Sequence, residues 1–329
     1  MVTLRNAPCP CGSGARFKHC CGSLDDGGGD QAEITDADLL NALKRADDAH
    51  RAEGLEPSAR DLLNIGKALQ GFGIHAVLMG RGAPPIARRA QRLNAMLFVP
   101  RERQSGGMHL GAYLFRDMFC QLYAPIAFGS CAIDFWQLID LTDFQKSWLA
   151  EMPEELARFT DQAADILDFG YGWQEFGHSR HIDARAKNLI WRAHTQLEAA
   201  AATATTAYDY RGTVQSALLG TELALKAGPA AHGVSDQELR SRAIGHNLAS
   251  ATARLAALEP ELDAARIERV VAAFPELVAS RYDTPPPDRV ATGHILMGAQ
   301  YVASEVTRQF SDRDCRRDNP SAQRRIYPG

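Results

Sequence analysis

The stretch Val214-Gln215-Ser216-Ala217-Leu218-Leu219-Gly220-Thr221-Glu222-Leu223-Ala224-Leu225-Lys226-Ala227-Gly228-Pro229 decides the fold class. Val214, Leu218 and Leu225 stand at i, i+4 and i+11, the apolar stripe of an amphipathic helix, and Gly228-Pro229 is a stop signal. Toward the C-terminus, another helix opens at Ser235 and carries Leu239, Ile244 and Leu248, and a further pair covers 260–280 and 288–310. Near the N-terminus, Thr35 caps a helix, with Asp38 three residues on and Leu39, Leu40 and Leu43 as its stripe. A second helix follows Pro57 (Leu62, Leu63, Ile65, Leu69), and a third follows Pro84-Pro85. Residues 108–149 are the most apolar part, broken at Pro125 and Gly129 and restarting at the capping box Thr142…Gln145. This predicts two or three packed helices there, with Ile126-Ala127-Phe128 as an alternative short strand. Phe169, Tyr171, Trp173 and Phe176 alternate with glycines up to His178, which reads as an aromatic loop folded back on the core, or else a ligand-stacking loop. The expected fold is all-α.

Composition narrows the function classes. The chain has 329 residues, 45% apolar and 23% charged, as a globular protein with a core requires. A net charge of −4 argues against holding nucleic acid by bulk charge alone. No apolar leader and no membrane-length apolar run is present, so the expected compartment is the cytoplasm. No phosphate-cradling glycine loop, no Gly-x-Ser-x-Gly and no His-x₃-His occurs, which removes the support for NTPase and common hydrolase classes.

The cysteines cluster. Four of the seven, Cys9, Cys11, Cys20 and Cys21, lie near the N-terminus. Where thiols stay reduced, such a cluster reads as a metal site before a disulfide. Two close pairs can meet in a tetrahedron around Zn²⁺ if the eight residues between them turn back, and Gly12 and Gly14 ease that turn. Four sulfurs leave no open position, so the site would be structural. The ion would supply the folding free energy of a segment with no core, on the order of 10 kcal/mol. His19 stands beside Cys20 as an alternative donor.

Arg5-Asn6-Ala7-Pro8-Cys9-Pro10-Cys11-Gly12-Ser13-Gly14-Ala15-Arg16-Phe17-Lys18-His19-Cys20-Cys21-Gly22 resembles the SEC-C motif, a zinc-binding module of the SecA C-terminal type. The resemblance covers about 20 residues and matches every position of Cys-x-Cys, eight residues, Cys-Cys or Cys-His. It implies structural Zn²⁺ on Cys9, Cys11, Cys20 and Cys21 and a macromolecular partner, protein or ribosome. Residues 23–33 read as a flexible linker.

Residues 181–312 resemble, through shorter fragments, the HEPN helical fold. The fragments are Thr221-Glu222-Leu223-Ala224-Leu225-Lys226-Ala227, Gly245-His246-Asn247-Leu248 and Ser280-Arg281-Tyr282. The resemblance implies a bundle that binds nucleotide or RNA, through Arg281 and His246, or that forms a homodimer. Many such proteins cut RNA through an Arg and a His with four to six residues between them. Four such pairs occur here, Arg45/His50, Arg103/His109, Arg240/His246 and Arg289/His294, about as many as chance placement gives. Only Arg289 and His294 stand at the mouth of the last helix, where Arg would hold a phosphate and His move a proton.

The resulting expectation is a SEC-C module at 1–22, a linker at 23–33, a central helical region at 34–180, a HEPN-like bundle at 181–312, and a basic, disordered tail at 313–329. The function read from it is binding or adaptor work, in stress or phage defence. A metal-independent HEPN-type ribonuclease and a pure protein–protein adaptor are the alternatives. The reading leans against catalysis.

Overall fold

The computed structural model describes residues 34–76, 78, 83–98, 107–127, 132–276, 285, 287–318 and 325–329. The chain divides into two compact units, residues 1–105 and 106–329. Residues 181–312, expected as a bundle of their own, lie within the second unit.

In the first unit the helix starts fall where the caps put them. Helix α1 (Asp36–Ala52) opens with Thr35 and Asp38 bonding each other's backbone N–H. Helices α2 (Pro57–Gly71) and α3 (Pro85–Asn94) each begin on a proline. Leu39 and Leu43 of α1 pack on Ile65 and Leu69 of α2 and on Ala87 and Ala90 of α3. A buried polar seam joins α1 to α2: Asn64 donates to Asp47 Oδ1 at 2.9 Å, and its own Oδ1 meets His50 Nδ1 at 2.8 Å.

The second unit is built around a β-hairpin. Strands β1 (His109–Phe115) and β2 (Met118–Ala124) pair antiparallel, with His109 opposite Ala124 and Phe115 opposite Met118. The all-α expectation is corrected here: the protein is mostly helical with a two-stranded sheet. The physical reason is that six of the seven β1 residues are buried. A strand covered on both faces reads as a continuous apolar run and shows no alternation. The turn at Arg116-Asp117, with Arg116 at φ 60°, lacks the Asn-Gly type of signature as well.

Helices follow: α4 (Asp143–Ala150), α5 (Pro153–His178), α6 (Ala184–Ala202), α7 (Tyr210–Ala231), α8 (Asp236–Leu239), α9 (Leu248–Ala256), α10 (Ala264–Ala272) and α11 (Arg289–Arg308), of which α5, α6 and α11 pack most closely on the hairpin. Both edges of the hairpin are covered. Beside β2, Tyr123 N–H donates to Leu138 O at 2.9 Å. The free edge of β1 is met by side chains instead of a strand. Leu110 N–H donates to Glu198 of α6 at 3.0 Å and Leu114 N–H reaches Met297 Sδ of α11 at 3.4 Å. Between them Gln300 of α11 both accepts from Ala112 N–H and donates to Ala112 O, each at 2.8 Å. An edge satisfied this way offers nothing to another strand.

Three further expectations are corrected. The aromatic–glycine stretch 169–178 is the last part of α5, not a loop. Its glycines permit close helix approach, and tertiary packing overrides their low propensity. Helix α7 passes through Pro229 and ends at Ala231, after which Gly233, at φ 81°, turns the chain so that Val234 N–H returns to Pro229 O at 3.0 Å. The helix expected from Ser235 through Leu248 is two, α8 and α9, separated by a turn with Gly245 at φ 40°.

The C-terminal stretch read as a disordered tail makes specific bonds wherever it is described. Asp161, Asp165 and Asp168 form a buried acidic stripe on α5, at i, i+4 and i+7. Arg308 reaches Asp165 at 2.6 Å and Asp168 at 2.8 Å, and Arg325 reaches Asp165 at 2.6 Å. Arg316 pairs with Asp161, whose other oxygen accepts from Ile326 and Tyr327 N–H at 2.9 Å. Arg313 pairs with Glu175 at 2.6 Å and lies over the Tyr171 ring. The arginines read as solvated tail charges thus answer buried carboxylates. Burial raises the Asp165 carboxyl, but Arg325 and Arg308 more than offset it, so the group sits below its ordinary value.

Candidate metal centre

Among the described residues one cluster has metal-ligating chemistry: His109, His194 and Glu198, with one donor atom of each lying within 4.8 Å of the others. The three can coordinate a metal ion. His109 opens β1. His194 and Glu198 are one turn apart on the same face of α6, the i, i+4 spacing that aims two side chains at one point. Glu198 Oε1 lies 3.4 Å from His194 Nε2 and 3.8 Å from His109 Nδ1. The Met108 carbonyl lies 3.2 Å from His194 Nε2.

Aromatic rings of α5 wall the cluster. Phe169 meets the His109 ring edge-to-face at 5.0 Å, and Trp173 stacks on His194 at 4.3 Å, while its Nε1–H donates to Met108 O at 3.1 Å. Phe169 and Trp173 are also one turn apart, so the α5 aromatics serve as the back of this site. Gly170 between them makes the approach possible. A Cβ there would stand 2.6 Å from Ala124 Cβ and 3.2 Å from His109 Cβ, atoms fixed to the hairpin backbone. Gly170→Ala is therefore expected to cost about 1–3 kcal/mol by overpacking. Urea unfolding measures it, and an unchanged midpoint would contradict the close approach.

The cluster is dry at one end and wet at the other. His109 is 0% exposed, and the Glu198 side chain is 34% exposed. Burial keeps both imidazoles neutral: His109 is pushed well below its ordinary value, with the neighbouring His194 adding to it, and His194 falls to about 4. Burial raises Glu198, against the Leu110 N–H that favours its ionised form. Both ring nitrogens of His109, and Nδ1 of His194, are buried without a hydrogen-bond partner.

The residues singled out from the sequence lie elsewhere. Cys9, Cys11, Cys20, Cys21 and Arg281 fall outside the described residues. Arg289 and His294 share α11, but five residues is about 140° around a helix. Arg289 bonds Asp117 O and Tyr210 OH and lies over the Phe119 and Tyr208 rings. His294 faces Tyr327, with Nδ1 3.4 Å from its hydroxyl. His246 holds Glu222 at 2.9 Å, and the same carboxylate pairs with Lys226 at 2.7 Å. The sequence reading missed His109, His194 and Glu198. A scan for His-x₃-Glu on an amphipathic helix would have found the α6 pair; for His109 no local signal exists.

Comparison with known proteins agrees with one part of the sequence reading. The SEC-C motif model matches residues 5–23. The chain matches no curated protein and no solved structure. What fold and comparison together define is a mostly helical protein, organised around a covered hairpin, that carries a SEC-C motif near its N-terminus. No described helix is long and apolar enough to cross a membrane.

Proposed function

We propose that this chain is a zinc-binding SEC-C protein that works as a binding or adaptor protein. Cys9, Cys11, Cys20 and Cys21 hold a structural Zn²⁺, and the module so folded docks a protein or ribosomal partner. The supporting observation is the SEC-C match over residues 5–23, with all four thiols at the family's spacing. The donor set fits the ion, since four thiolates make a closed tetrahedral site. The second unit then presents its helices to nucleotide or RNA, or to a second copy of the chain, in the cytoplasm.

A ribonuclease reading needs Arg289 and His294 on one phosphate. Arg289 is already engaged by the hairpin turn and by Tyr210, so this reading has the lesser support. RNA cleavage in EDTA that disappears in Arg289→Ala and in His294→Ala would promote it.

The zinc reading has a direct test. Metal analysis of the purified full chain against a Cys20→Ser, Cys21→Ser variant should show the loss of about one equivalent of zinc. On the reading of residues 23–33 as a flexible linker, the main thermal transition should not move. Retention of the full metal content would overturn the assignment.

A further inference from the structure

We infer that His109, His194 and Glu198 form a second metal centre, one for a divalent first-row transition ion, separate from the cysteine module. The argument begins with an unmet need. A neutral imidazole always carries one N–H and one lone pair, yet neither His109 nitrogen has a partner and the ring is wholly buried. A buried polar group left so is destabilising, and such groups point to a water or an ion. The His194 ring lies 5.0 Å away between centroids and turns Nε2, not its unpartnered Nδ1, toward Glu198.

The spacing fits an ion. Ligands about 2.0–2.1 Å from a tetrahedral centre lie about 3.3 Å from one another. The two measured separations to Glu198 Oε1, 3.4 and 3.8 Å, are close to that edge. The side chains are also held in place from outside the cluster. Leu110 N–H fixes the carboxylate, Trp173 stacks on His194, and Phe169 abuts His109. A shell held this way loses little entropy on binding.

The donor chemistry selects the class. Two imidazoles and one carboxylate suit Zn²⁺, Co²⁺ or Fe²⁺, whereas Mg²⁺ and Ca²⁺ want oxygen throughout. The Met108 carbonyl beside His194 Nε2, or solvent beside the exposed side of Glu198, completes the shell. Three side-chain ligands with a solvent-facing position make an open site, unlike the closed four-cysteine module.

The test uses the full chain with Cys9, Cys11, Cys20 and Cys21 all changed to serine, so that only this site remains. Co²⁺ is the probe. It should bind at about one equivalent, give a visible d–d absorption, and quench the fluorescence of Trp173, which stacks on a ligand. Zn²⁺ should compete for it and raise the thermal midpoint, while Mg²⁺ should do neither. Glu198→Gln keeps an acceptor for Leu110 N–H and so preserves the fold; it should weaken Co²⁺ binding by at least about a hundredfold. His194→Gln should do the same. Trp173→Phe should remove the quenching component but leave the absorption. No Co²⁺ binding in the cysteine-free chain, equal binding in Glu198→Gln and His194→Gln, or equal stabilisation by Mg²⁺ would each overturn the inference. Zinc content that falls only with the cysteine changes supports the cysteine module and sinks this site; the converse does the reverse.

Discussion

Arg308→Met is expected to destabilise the second unit by about 3–5 kcal/mol. The Arg308 side chain is 9% exposed and lies against Asp165, Asp168 and Glu305. Methionine fills much of the same volume, so the loss is electrostatic rather than a cavity. It leaves Asp168 with no cation and only Cys315 beside it, whose N–H donates at 2.9 Å and whose thiol also bonds it, and it leaves Asp165 with Arg325. Arg308→Lys should recover less than half of the loss, because an ammonium cannot span two carboxylates as the guanidinium fork does. Urea unfolding at neutral pH measures both.

The pH dependence has a fixed sign. Asp165 is held below its ordinary value in the folded chain, so its contribution is complete above its unfolded value near ~4 and is lost as pH falls through the depressed folded one. In Arg308→Met the Asp165 carboxylate loses a cation, its folded value rises, and acid unfolding should begin at higher pH. An acid titration followed by circular dichroism reads this. A variant that unfolds at the same pH as the parent would show that the stripe is not held by its arginines.

Gln300→Leu should cost about 2–5 kcal/mol. The side-chain amide satisfies both backbone groups of Ala112, a residue 1% exposed, and leucine would leave a donor and an acceptor unpaired in the core. Gln300→Glu keeps the acceptor for Ala112 N–H but loses the donor to Ala112 O, so it should fall between the two or be worse if the carboxylate stays charged. Hydrogen exchange at Ala112 should accelerate selectively in Gln300→Leu beyond the global change. Equal stability in Gln300→Leu would mean that β1 finds another partner along that edge.

Both of these contacts join residues far apart in the chain, and that is why neither was legible beforehand. What the sequence by itself determined is local: the Thr35 and Thr142 capping boxes, the proline starts of α2 and α3, the stripe of α7, and the four-cysteine motif with its spacing. Each is a signal in which the interacting residues sit within a turn or two of one another. Tertiary structure decided the rest. Strand β1 has no alternation because six of its seven residues are buried, and the aromatics of 169–176 became a helix face because Gly170 meets the hairpin there. The C-terminal arginines counted as solvated charge until α5 placed three carboxylates in their path. His109 joins His194 and Glu198 across more than eighty residues, a convergence made only when the hairpin is laid against α6. Capping and periodicity are short-range physics and can be read from the chain; the neutralisation of buried charge and the meeting of ligands depend on which surfaces the fold brings together.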